Sequence, residues 1–134
     1  EGEADAIMAA MPVRDLEAGI AFYVDTLGFQ AIYKDDGGYA VLKLDGIELH
    51  LWLANDETWR TRDHSEPIVS GAESFIAGTH SCRIRVNGIE NRWQKMHALE
   101  CIHPNANLEK KPWGTTEFGV LDPYGNLIIF FEWL

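Results

Sequence analysis

Met11-Pro12-Val13-Arg14-Asp15-Leu16-Glu17, followed by Ala21-Phe22-Tyr23 and Leu27-Gly28-Phe29, reads as a short strand running into a capped helix. The strand is expected over 6–13. Asp15 is a good N-cap, because its carboxylate can accept from the free N–H groups that open a helix. Leu16, Ile20, Tyr23 and Leu27 recur at helical spacing, so a helix over 16–26 turns one apolar face to a core. Gly28 stands where a helix end favours glycine. Beyond it, strands are predicted over 30–34, 39–44 and 47–53. They are separated by Asp35-Asp36-Gly37-Gly38 and Asp45-Gly46, the latter a strong two-residue hairpin signal.

The same order then returns. A strand over 80–86 leads into a helix over 89–99, where Ile89, Trp93 and Met96 share a face. Strands over 100–103, 117–121 and 127–132 follow, the last two joined by the turn Asp122-Pro123-Tyr124-Gly125-Asn126. The fold class is α+β. One domain over 1–134 is expected, with a βαβββ module at 6–53, a connecting loop at 54–79 and a second βαβββ module at 80–132. A polar connection of that length in a compact chain usually covers a site. It carries Trp59 among Asp56, Glu57, Asp63 and Glu66, so Trp59 is a candidate lid over a ligand or an anchor of its own loop.

Composition narrows the function by exclusion. The 134 residues are 46% hydrophobic and 24% charged, with a net charge of −10. That acidity argues against a nucleic-acid surface, which needs Lys and Arg to neutralise phosphates. It suits a cationic ligand, which an acidic cleft concentrates. No apolar run approaches the ~18 residues of a membrane span, no signal-peptide pattern is read at the start, and residues 1–5 read as a solvated tail. Cys82 and Cys101 lack a disulfide framework spacing and are expected as buried free thiols, which suits a reducing cytoplasm.

Three segments together resemble the vicinal-oxygen-chelate superfamily of glyoxalases, bleomycin-resistance proteins and dioxygenases. They are the opening stretch quoted above, residues 39–53, and Asp122-Pro123-Tyr124-Gly125-Asn126-Leu127. The resemblance implies two βαβββ modules forming a curved mixed sheet around a cavity. Within the superfamily, Lys111-Pro112-Trp113-Gly114 with Glu117-Phe118, and Ser81-Cys82, are most similar to the bleomycin-resistance proteins. Those are dimers that sequester bleomycin-type antibiotics in clefts at the subunit interface, so the resemblance implies a homodimer and such a drug as partner.

The metal-dependent members hold an ion with one side chain from each of four strands, and the matching positions here are Met8, His50, Ser81 and Ile129. Three of the four are poor ligands, and His64, His80, His97 and His103 have no paired ligand spacing, so neither metal nor cofactor is expected. No catalytic acid, base or nucleophile arrangement stands out. Strand alternation turns Ile47, Leu49, Leu51 and Leu53 toward a helix, leaving Glu48, His50 and Trp52 to line the cavity. Leu127, Ile129 and Phe131 share the cavity face of the last strand. The resemblance places an aromatic ring that stacks on the flat drug at Tyr39. Trp113, held between Pro112 and Gly114, is the second stacking candidate. The expected ligand-binding set is thus Tyr39, Glu48, His50, Trp52, Trp59, Trp113 and Gly114. Two other functions fit the same reading: an enzyme of the superfamily (glyoxalase, extradiol dioxygenase or fosfomycin thiol transferase), and a binding module for another flat or cationic metabolite.

Overall fold

Asp15 caps the first helix as its position demands: its side chain accepts from the Ala18 N–H at 3.0 Å. A computed structural model describes residues 2–63 and 72–134; His64 and Glu66 lie outside them. Strand β1 (Ala9–Val13) enters helix α1 (Leu16–Ala21). Over Phe22–Thr26 the expected α-helix widens into a π-helical turn, with the Leu27 N–H reaching back five residues to the Phe22 carbonyl. Tyr23 and Leu27 are both buried there. Strands β2 (Gln30–Asp35), β3 (Tyr39–Leu44) and β4 (Ile47–Leu53) complete the first module. In the second, β5 (Ser81–Arg85) and α2 (Ile89–Ala98) precede β6 (Glu109–Lys110), β7 (Thr115–Leu121) and β8 (Leu127–Trp133).

Each module builds its own four-stranded mixed sheet, ordered β1-β4-β3-β2 and β5-β8-β7-β6. The first and last strands of each module pair in parallel, the rest antiparallel. The expected strand at 100–103 is absent as a strand. Glu100 sits at φ 57° just past α2 and Pro104 brings no N–H, so this stretch makes only the single bridge Ile102–Val120. The second module's edge strand is instead the two-residue β6.

Leu49 and Leu51 are buried under α1 while Glu48, His50 and Trp52 stay half-buried on the other face. Ile47, at the strand's start, shares the helix side but is 39% exposed. α2 covers β7 and β8 with buried Ile89 and Met96; Trp93 is only half-buried, its N–H donated to Asn107. Residues of both modules join one hydrophobic cluster.

The Asp122–Asn126 turn fastens the modules to each other. Tyr23, wholly buried, donates its hydroxyl to the Asp122 carboxylate at 2.9 Å. Asn126, also wholly buried, donates to the Pro12 carbonyl at 2.7 Å and accepts from the Gly78 N–H at 2.8 Å. The Tyr124 hydroxyl donates to the Asp15 carbonyl at 3.1 Å.

Candidate functional site

The sheet faces turned away from the helices carry the polar and aromatic groups. In the first sheet, β3–β4 pairing sets Tyr39 opposite Trp52 and Val41 opposite His50. Alternation along β4 brings Glu48 and His50 to one face. The Glu48 carboxylate bonds His50 Nε2 at 2.6 Å, and the Tyr39 hydroxyl bonds Nδ1. A carboxylate only accepts, so Nε2 donates to Glu48 and Nδ1 accepts from the tyrosine in the neutral ring. The Tyr39 and His50 rings meet edge to face, 5.3 Å between centroids. Trp52 donates its indole N–H to the Ala10 carbonyl at 3.3 Å and meets the His80 ring edge-on at 6.4 Å. The four residues expected from the first module therefore stand together.

In the second sheet, Trp113 and Gly114 form the turn that feeds β7. The Gly114 N–H donates to the Lys111 carbonyl at 3.1 Å, and its φ of 97° is a conformation that a side chain would strain. The Trp113 indole donates to Glu117 Oε2 at 2.9 Å while the residue stays 58% exposed. Glu117 is 4% exposed. It also accepts from Thr115 Oγ1 at 2.6 Å and from both Arg83 nitrogens, at 3.2 and 2.5 Å. The Arg83 bonds, with those from Thr115 and Trp113, outweigh burial and hold the Glu117 carboxyl down at about 2.

Because this value lies below the ordinary 4.5, the Glu117 pair stabilises the fold fully above about pH 4.5 and is lost as pH falls toward 2. Arg83 is 44% exposed, so solvent screening reduces the gain to on the order of 2 kcal/mol. Acid unfolding of Glu117→Gln should start from lower stability at neutral pH and show a shallower loss between pH 4.5 and 2; unchanged acid limbs in the two proteins would contradict this.

Arg83 is not singled out above, and Glu117 enters only as part of the family resemblance, not as a member of the expected ligand-binding set. A charged residue at an inward position of β7 was the available signal, but its partner lies 34 positions earlier. Trp59 stands apart from both clusters: its N–H is donated to Ser74 Oγ at 2.9 Å, and Phe75 and Arg60 pack on its ring. A cleft of about 490 Å³ between the modules is lined by Asp25, Asp45, Arg92 and Lys95 and shares none of the residues expected to bind a ligand. A hollow of about 100 Å³ beside Lys111, Glu117 and Ile129 opens next to the Trp113 turn.

The family model described as Glyoxalase/Bleomycin resistance protein/Dioxygenase superfamily matches residues 6–130. This chain belongs to that superfamily. Proteins named bleomycin resistance protein from Geobacillus stearothermophilus and Staphylococcus aureus are 47% identical to it over 123 residues, 92% of either chain. Among solved structures, the bleomycin-binding protein of bleomycin-producing Streptomyces verticillus, complexed with copper(II)-bleomycin, shares the fold at TM-score 0.71 and 22% identity, over 97% of each chain. A lactoylglutathione lyase from Agrobacterium tumefaciens shares it at 0.71 and 24%, over 97% of this chain and 95% of that one.

The superfamily's metal positions do not fit an ion here. Met8, Ser81 and Ile129 offer no strong donor, and both His50 nitrogens are already bonded to Tyr39 and Glu48. Among the described residues no three His, Cys, Asp or Glu side chains converge on a point.

Proposed function

We propose that this superfamily member binds bleomycin-type glycopeptide antibiotics and holds them without chemical change. The observation that carries the reading is the state of the exposed sheet faces: aromatic rings stand open while the acids and bases beside them are engaged. Trp113 offers its ring face, Glu117 is held by Arg83, Thr115 and the indole itself, and His50 is bonded at both ring nitrogens. The 47% identity to proteins named for bleomycin resistance supports it. Tyr39, Glu48, His50, Trp52, Trp113 and Gly114 form the proposed ligand surface, and Trp59 serves to anchor its own loop.

A second copy completes the site in this reading. A ligand of drug size needs a cleft of about 300–1,000 Å³, whereas the hollow beside Trp113 holds about 100 Å³. Facing the first sheet of one protomer with the second sheet of its partner would enclose the aromatic groups of both. Among the described residues no helix is long and apolar enough to cross a membrane. A cytoplasmic place is proposed with this function; the free thiols Cys82 and Cys101 suit it.

Calorimetric titration with bleomycin should return a Kd on the order of 1 μM or tighter, with quenching of tryptophan fluorescence. Trp113→Ala should weaken binding by about 1–3 kcal/mol, the loss of one aromatic anchor, with its melting temperature recorded alongside. Light scattering should give a dimer of the 15.1 kDa chain. No heat and no quenching in the parent would refute the bleomycin reading.

A further inference from the structure

The geometry points to Glu117 as a positioning residue that fixes the indole of Trp113 by its N–H edge and so sets the ring face for a flat ligand. Packing alone does not hold this ring, since Trp113 is 58% exposed. What holds its outer edge is one hydrogen bond, 2.9 Å from Nε1 to Glu117 Oε2. The acceptor is itself immobile. Arg83 grips the Glu117 carboxylate through two nitrogens, Thr115 adds a third donor at 2.6 Å, and the Arg83 guanidinium lies 4.7 Å over the Phe131 ring. Three of the four donors meet at Oε2, so the oxygen that holds the indole has no capacity left for a cation on the ligand. Its contribution to binding therefore passes through Trp113, not through direct contact. Lys111, with its ammonium 5.8 Å from the Trp113 ring centre, is paired with Glu109, and Glu117 is the acceptor on the indole N–H edge.

The ligand half of this inference rests on the bleomycin reading; the positioning half does not. The test uses the full chain and nitrogen-labelled tryptophan, whose five indole N–H signals are counted from the sequence, with Trp113 assigned by Trp113→Phe. In Glu117→Ala the Trp113 N–H signal should shift and exchange with solvent on the order of 10-fold faster. Bleomycin Kd should rise about 10-fold, as for Trp113→Ala, and the double variant should be no weaker than Trp113→Ala alone. Glu117→Gln, which keeps an oxygen for the indole, should stay within about 3-fold of the parent. Trp113→Phe keeps Arg83 and Thr115 on Glu117 but removes the indole N–H, and it should weaken binding even if Glu117→Ala fails to fold. An unmoved indole signal in Glu117→Ala, additive losses in the double variant, or parent-like binding by Trp113→Phe would overturn the assignment. If the parent binds no bleomycin, the functional reading fails, and the indole signal, which needs no ligand, still decides whether Glu117 holds the ring.

Discussion

Asn126→Ala is expected to lower the unfolding free energy by about 3–5 kcal/mol, several times the typical cost of one point change. The Asn126 side chain is wholly enclosed and serves three segments at once. Its amide donates to the Pro12 carbonyl at 2.7 Å in the first module and to Asp122 at 2.8 Å in its own turn. Its oxygen accepts from Gly78 at 2.8 Å and, more weakly, from His80 at 3.3 Å. Alanine leaves the buried Pro12 carbonyl and the part-buried Gly78 N–H without these partners, at roughly 1–3 kcal/mol each. Asn126→Asp should also be costly, because it loses the donor and sets a second carboxylate against Asp122. Urea denaturation monitored by tryptophan fluorescence reads the effect as a lower midpoint with an unchanged slope. A loss under about 1 kcal/mol would mean that the shared hydrophobic core alone joins the modules.

Gly78→Ala should be at least as damaging, about 3 kcal/mol or more, although it adds one carbon. The sign is the informative part, since a loop glycine replaced by alanine at a tolerant site usually gains about 0.4–1 kcal/mol. At Gly78 two conditions oppose that gain. Its φ is 93°, where a side chain is strained, and an added Cβ would lie 2.3 Å from the Tyr124 carbonyl oxygen. That oxygen is backbone within the Asp122–Asn126 turn and cannot swing aside, so the turn itself must move and strain the bond from Gly78 to Asn126. A variant with parent-like stability would show that this turn is free to shift.

The sequence spoke most clearly where a local signal and a tertiary demand agree. Asp45-Gly46 fixed the β3–β4 hairpin, and alternation from Ile47 onward placed Glu48 and His50 on one face, where they are found. The edge strand β6 escaped because two polar residues, Glu109 and Lys110, carry no alternation to read. Residues 100–103 carry enough apolar character to suggest a strand, yet the turn at Glu100 and Pro104 breaks the ladder. The site was harder. Trp113 could be picked out from its own neighbours in the chain, but what holds it is Arg83 acting through Glu117, and local patterning does not report partners so far apart. Trp59 shows the converse: an aromatic in an acidic loop suggests a lid or an anchor, and the Ser74 and Phe75 partners it packs with come from the far end of that loop.

Tyr39 and Trp113 have one feature in common: each ring is tethered at its polar tip, one to His50 and the other to Glu117. Their rotational freedom is therefore surrendered when the chain folds rather than when a ligand arrives. An untethered side chain gives up about 0.5–1.5 kcal/mol on being immobilised by a partner, and in the proposed binding role two rings fixed in advance would spare a ligand that entropy loss. Loose rings could make the same contacts and still bind more weakly. The cost is moved into the folded protein, which must keep Glu117 buried and fully bonded whether or not any ligand is present.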